Sequence, residues 1–174
     1  YQKMPYGIYF MGYSTAIAYS KDAFPNGGPK SWADVCDVKK FPGPRCLHGG
    51  GGGYGMIEEA LLADGVLLEK LKPPFDMERA FKKFDELKPH VVKWWRSGAV
   101  APQLLVDKEV VIVNAYSGRI AAIKAQGANV EIEYNQGNLS FEMFVIPRGT
   151  KNYDAAMKLL AFIARAENQA AMSN

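Results

Sequence analysis

The sequence predicts an α/β sandwich with a mainly parallel or mixed sheet, on three observations. Short apolar strand candidates alternate with helix candidates along the chain, strands hand over to helices at Gly-rich or capped turns, and Val110 to Tyr116 is apolar almost throughout. Such a run fits a strand covered on both faces of a sheet. The 174 residues suit one well-packed domain, and 48% apolar with 22% charged residues excludes disordered, collagen-like and disulfide-dense classes.

Taken in order, Ile8 to Tyr19 is aromatic and β-branched, broken by Gly12, Ser14 and Thr15, and reads as a strand with a kink or a ligand-facing turn. A turn cluster of Pro25, Asn26, Gly27, Gly28 and Pro29 follows. Ser31-Trp32-Ala33-Asp34 has the form of a capping box and opens a short helix. Arg45 to His48 is a short strand, and Gly49 to Gly53 with Gly55 lead into a helix from about Met56 to Asp64, stopped by Gly65. Asp76 is the N-cap of a helix whose apolar residues are Met77, Ala80, Phe81, Phe84 and Leu87. Val91 to Trp95 and Val110 to Tyr116 are strands, and Ser117 to Gln126 is a helix closed by Gly127. Val130 to Tyr134 and Phe141 to Ile146 read as two further strands. Asn152 to Met172 is expected as one helix with a buried stripe of Ala156, Leu159, Leu160, Ile163 and Ala164. It carries no stop signal, and the opening Tyr-rich stretch has no leading element to pair with, so both ends read as cuts through a larger fold.

A net charge of +3, with scattered charges, gives neither a nucleic-acid stripe nor a polybasic membrane anchor. No apolar run reaches the roughly 18–20 residues of a membrane span. No basic-apolar leader stands at Tyr1, so targeting information was never present or has been removed. Cys36 and Cys46 are either a local disulfide or two unrelated buried thiols.

Five consecutive glycines at Gly49 to Gly53 form either a flexible loop or a place of close backbone approach. In the second case a helix N-terminus lies beyond them, suited to a carboxylate, phosphate or ordered water. No Walker or dinucleotide pattern supports a nucleotide. Tyr116-Ser117-Gly118-Arg119 sits where a strand hands over to a helix, the edge at which α/β sheets bind ligands. Tyr116 is a candidate wall, and Arg119 is either a carboxylate clamp or a solvated cation. Glu142, in an apolar strand, faces water or meets a cationic ligand group. Trp94 and Trp95 point to opposite faces, at least one into the core, and with Tyr134 could offer an aromatic surface. His48 and His90 have no partners at metal-ligand spacing, and Cys46 near His48 lacks an orienting third group, so structural roles are expected for both.

The order of motifs resembles a known family. Gly12-Tyr13-Ser14-Thr15-Ala16-Ile17-Ala18-Tyr19, Pro29-Lys30-Ser31-Trp32-Ala33-Asp34-Val35, Lys40-Phe41-Pro42-Gly43, Glu59-Ala60-Leu61, Tyr116-Ser117-Gly118-Arg119 and Ile146-Pro147-Arg148-Gly149-Thr150-Lys151-Asn152 follow one another without a break. This is similar to the spermidine/putrescine type of periplasmic solute-binding protein of ABC importers, from about Met4 to Met172. The resemblance implies a periplasmic-binding-protein-like lobe, a three-layer αβα unit with a mixed sheet, within a bilobed Venus-flytrap fold. Residues 1–20 would be a crossover strand from the first lobe, 21–138 the second lobe, 139–150 the return crossover, and 151–174 a helix of the first lobe.

By the same resemblance the protein is extracytoplasmic, with its signal segment outside this chain. It has no cofactor or metal and no catalytic residue, and it contacts a small-molecule solute and an inner-membrane ABC permease, but not nucleic acid. The expected ligand residues are Ser14, Thr15, Gly52, Gly53, Tyr54, Tyr116, Arg119 and Glu142. Polyamine-binding members place carboxylates in the loop that here is Gly49 to Gly55, whereas Arg119 is a cation near the aromatic wall at Tyr116. Unpaired cations in a desolvated cleft are disfavoured. A small carboxylate or an amino acid resembling 4-aminobutyrate is therefore the expected ligand, with a polyamine as alternative. An enzyme on an α/β fold and a pure interaction module are the readings from other classes.

Overall fold

A computed structural model describes residues 6–50 and 56–172. The chain divides into two units, residues 14–138 and residues 1–13 with 139–174. Two strands, β1 (Ile8–Ser20) and β5 (Val130–Phe144), run through both.

In the unit of residues 14–138 the remaining elements are α1 (Trp32–Cys36), β2 (Arg45–His48), α2 (Ile57–Ala63), α3 (Met77–Leu87), β3 (Val91–Trp95), α4 (Val100–Val106), β4 (Ile112–Tyr116) and α5 (Ser117–Ala125). The sheet order is β3-β2-β4-β1-β5. β2 is parallel to β3 and to β4, and β1 is antiparallel to β4, so the sheet is mixed. Alternation along the strands gives the layers. Ile17, Tyr19, Leu47 and Ile112 pack with Trp32, Val35, Met56 and Leu62 of the α1–α2 side, with Leu87 of α3. Ala18, Cys46, Val113 and Ala115 pack on the other face with Ala101 and Leu105 of α4 and Ile120 of α5. Helices thus cover both faces, which makes this unit the three-layer αβα lobe.

Local chemistry explains the boundaries. The Ser31 hydroxyl accepts from the Asp34 N–H at 3.1 Å, and an Asp76 carboxylate oxygen accepts from the Arg79 N–H at 3.0 Å, so both expected caps form. Gly65 and Gly127 stop α2 and α5 in left-handed backbone, at φ 83° and 97°. α4 is an element that the sequence reading did not include. Pro102 falls in the helix's first turn, where a missing N–H removes no intrahelical bond.

β5 is one strand rather than the two expected. The polar Asn135-Gln136-Gly137 stretch looks like a break, yet tertiary hydrogen bonds hold it in the sheet. The Gln136 Oε1 accepts from the Trp32 N–H at 2.9 Å, its carbonyl accepts from the Trp32 indole at 3.0 Å, and Asn135 donates to the Lys30 carbonyl at 2.8 Å. Gln136 itself sits at φ 61°, a local irregularity that the strand accommodates.

In the other unit the outer stretches of β1 and β5 carry the ring pairs Tyr9–Phe141 and Phe10–Phe144. The expected single terminal helix is two, α6 (Tyr153–Ile163) and α7 (Ala166–Met172). Asn168 and Gln169 donate side-chain N–H groups to the carbonyls of Phe162 and Ile163, which ends α6 where composition gave no signal. The expected stripe on α6 is not buried: no residue of that helix is, and Leu159 and Phe162 are exposed.

Candidate functional site

Because β2, β3 and β4 are parallel, their C-terminal ends lie on one edge of the sheet, where the next loops and helices begin. His48 is level with Trp95, and Thr15 of the antiparallel β1 is level with Tyr116. Of the expected ligand residues, Thr15, Ser14 beside it, Tyr116 and Arg119 therefore collect at this edge. Gly52, Gly53 and Tyr54 lie outside the described residues. Glu142 is exposed on β5 in the other unit.

Buried Asn114 organises the edge. Its Oδ1 accepts from the His48 N–H at 2.7 Å and from the Trp95 indole at 3.1 Å, and its carbonyl accepts the same indole at 2.8 Å. Trp95, almost fully buried, then meets the His48 ring at 4.4 Å and the Tyr116 ring at 5.4 Å between centroids. Three rings form a continuous wall. Tyr134, a further candidate for an aromatic surface, is exposed on β5, and Trp94 turns to the opposite face from Trp95.

Of the five consecutive glycines, Gly49 makes a close approach to β3, Gly50 at φ 77° has open space around it, and Gly51 to Gly53 lie outside the described residues. The Gly49 N–H donates to the Trp95 carbonyl at 2.7 Å, and a Cβ at Gly49 would lie 3.1 Å from that of Trp94, so the end of β2 hugs β3. A Cβ at Gly98 would lie 2.6 Å from the Tyr116 ring and 3.2 Å from Arg119 Nε. Only a residue without a side chain lets the loop after β3 lie against both.

Two arginines stand at the edge, and Glu58 lies in the first turn of α2, the helix that follows β2. Arg96 follows β3 and Arg119 stands in the first turn of α5; both are exposed, and neither makes a salt bridge among the described residues. The first turn of α5 holds no acid, so Arg119 adds to the positive end of the helix dipole instead of being offset. Burial lowers the His48 pKa below the ordinary imidazole value, so the ring is neutral at neutral pH and the positive charge comes from the arginines. The two thiols are free and lie in different packing clusters, Cys36 against one and Cys46 inside the other. Burial pushes both up to about 11, which removes the thiolate that a nucleophile needs. Among the described residues no group of His, Cys, Asp or Glu is arranged to hold a metal, and no helix is long and apolar enough to cross a membrane.

Sequence reasoning missed Asn114, Arg96 and Gly98, and assigned His48 only a structural role. The signal for Arg96 was the one used for Arg119, a position just beyond a parallel strand's end. It needed the pairing of residues 91–95 with 45–48, which periodicity does not give.

This three-layer unit gathers donors and rings at the sheet edge where α/β folds place their ligand sites. The chain belongs to the bacterial extracellular solute-binding protein family, whose model matches residues 1–174. It is 37% identical over 171 residues to the gamma-aminobutyric acid-binding protein of Pseudomonas aeruginosa, covering 96% of this chain and 47% of that one. Among solved structures it is similar to a GABA receptor, at 40% identity and TM-score 0.88, over 98% of this chain and 52% of that one. It is also similar to a PBP from A. tumefaciens B6 in complex with glucopine, at 37% identity and TM-score 0.86, over 96% and 52%. A spermidine/putrescine substrate-binding protein from Streptococcus pneumoniae shares the fold alone, at 20% identity and TM-score 0.71, over 94% and 49%. The chain spans about half the length of these relatives.

Proposed function

We propose that the protein is the extracytoplasmic solute-binding component of an ABC importer, and that its ligand is a small carboxylate or amino acid, with 4-aminobutyrate favoured. The observation that carries this reading is Arg119, exposed and without an acidic partner among the described residues, close to the Tyr116 ring of the wall across Gly98. Guanidinium groups bind carboxylates through directed, charge-assisted hydrogen bonds. Two relatives named for gamma-aminobutyric acid support the choice. Glu142 is the carboxylate proposed for the ligand's amine.

In this reading Ser14, Thr15, Tyr116 and Arg119 contact ligand from one lobe, together with Gly52, Gly53 and Tyr54. Residues 1–20 and 139–150 are the crossovers about which a second lobe closes, and 151–174 belongs to that lobe. Ligand shifts the population to a closed form that the inner-membrane permease reads. The protein acts by binding, without turnover.

A titration-calorimetry panel with 4-aminobutyrate, glutarate, putrescine and spermidine tests the reading. Saturable heat with the first or second supports it. Heat with the polyamines alone would replace it by the polyamine type that the sequence resembles.

A further inference from the structure

On the face of the sheet covered by α2 and α3 lies a cavity of about 710 Å³, which opens at the same strand ends. Its walls are apolar, with Met56, Met77, Phe81, Phe84 and Trp94; His48 and Arg96 are its polar side chains, and among the described residues no Asp or Glu lines it. The volume falls in the roughly 300–1,000 Å³ range of pockets that take drug-sized ligands, far more than 4-aminobutyrate fills. α3 shows why the space is there. Its apolar stripe buries Ala80 and Leu87 in the core, whereas Met77 and Phe81 at its N-terminal half stay 44% and 55% exposed. Phe81 meets Phe84 edge-on, and Phe84 meets Trp94 edge-on, at centroid separations of 6.2 and 6.0 Å. This ring ladder runs along the cavity and leaves aromatic surface open to it.

We infer that this cavity is a second compartment of the ligand site, taking the aryl end of an aryl-alkyl carboxylate whose carboxylate is held by Arg96. The inference rests on the reading of the strand edge as a carboxylate site and extends the ligand class beyond small amino acids. An anionic head matches the unpaired guanidinium, and an aromatic tail removes the open faces of Met77 and Phe81 from water. A free aliphatic amine in the same place would meet no carboxylate among the described residues that line the cavity.

The test compares 4-phenylbutyrate with 4-aminobutyrate, which share a carboxylate and chain and differ in a phenyl ring for an amine. Calorimetry is run on the protein and on Phe81→Gln and Met77→Gln, both exposed positions on α3, with circular dichroism as the check on folding. The expected result is that 4-phenylbutyrate binds and perturbs Trp fluorescence. Its affinity then falls at least fivefold in either variant, while that of 4-aminobutyrate is unchanged. If 4-aminobutyrate binds and 4-phenylbutyrate does not, or if both variants bind 4-phenylbutyrate as before, the cavity is not a ligand compartment and the small-solute reading stands. If 4-phenylbutyrate binds with the expected loss and no small acid binds, the cavity stands and the small-solute ligand is wrong. If neither acid binds, both fail.

Discussion

At the start of β2, Arg45 is fully buried and its guanidinium donates to three backbone carbonyls, those of Val35 at 3.0 Å, Phe41 at 2.5 Å and Gly43. At the opposite ends of the neighbouring strands, Arg96 and Arg119 are exposed and make no salt bridge among the described residues. One residue type thus does two jobs on one sheet. At the closed end the charge is consumed in tying α1 and the loop at residues 41–43 to the strand. At the open end it faces solvent with no acidic partner among the described residues.

The largest expected effect breaks the closed end. Arg45→Ala leaves three carbonyls short of a donor inside the protein and opens a hole beside Val35. It should lower stability by about 3–5 kcal/mol, read as a fall in the urea midpoint. Arg45→Lys should recover only part, because an ammonium lacks the fixed fork that reaches three acceptors. A loss below about 1 kcal/mol would mean that the carbonyl set is not what holds this end.

Glu59 sharpens the comparison, since it is the buried charge without Arg45's partners. It lies in α2 with one carboxylate oxygen unbonded, and Lys83 near it is paired instead with Asp64 at 3.3 Å and Glu86 at 2.7 Å. Burial first, with the Glu58 charge adding, pushes its pKa from 4.5 to about 7. Folded protein therefore holds a proton that unfolded protein releases. The contribution of Glu59 to stability is greatest below about pH 4.5, falls as pH rises towards 7, and levels off above it. Glu59→Gln should remove that slope and stabilise the protein at pH 8 by up to about 3 kcal/mol. Equal midpoint differences between wild type and variant at pH 5 and pH 8 would show that the carboxylate is solvated after all.

Asn114→Ala acts between the two ends. It strips the His48 N–H of its acceptor and the Trp95 indole of one of two, at a cost of about 1–3 kcal/mol. Ligand affinity should fall with it, since the ring wall loses its anchor. Unchanged affinity for 4-aminobutyrate alongside the stability loss would separate Asn114 from the site.

How far the sequence was legible follows from where each signal lives. Caps are local, so Ser31, Asp76, Gly65 and Gly127 marked helix ends correctly. Both faces of the sheet could be read from alternation and from the apolar run before Tyr116. What failed was decided by distant partners. Trp32, 104 residues from Gln136, keeps β5 whole where the local chemistry looked like a turn. Asn168 and Gln169 break a helix whose own periodicity continues. At the site, Tyr116 and Arg119 were visible because the strand-to-helix handover is written in adjacent residues. Arg96 was hidden because its strand had first to be paired with residues 45–48.

The smallest change in stability should come from the open end, and it is the most telling. Arg119 stands in the first turn of a nine-residue helix with no acid to offset it, so its charge opposes the helix dipole. Arg119→Gln removes that repulsion and should leave stability unchanged or raise it by about 0.3–1 kcal/mol. The same change should weaken 4-aminobutyrate binding by about 1.5–3 kcal/mol, some ten- to a hundredfold, because a charge-assisted bond to the carboxylate is lost. Wild-type affinity should also fall as salt rises, and less steeply in the variant. That pair of outcomes would make Arg119 the opposite of Arg45, a residue carried at a local energetic cost whose loss harms only binding. If Arg119→Gln destabilises the fold and leaves the isotherm as it was, the contrast between the two ends of the sheet collapses.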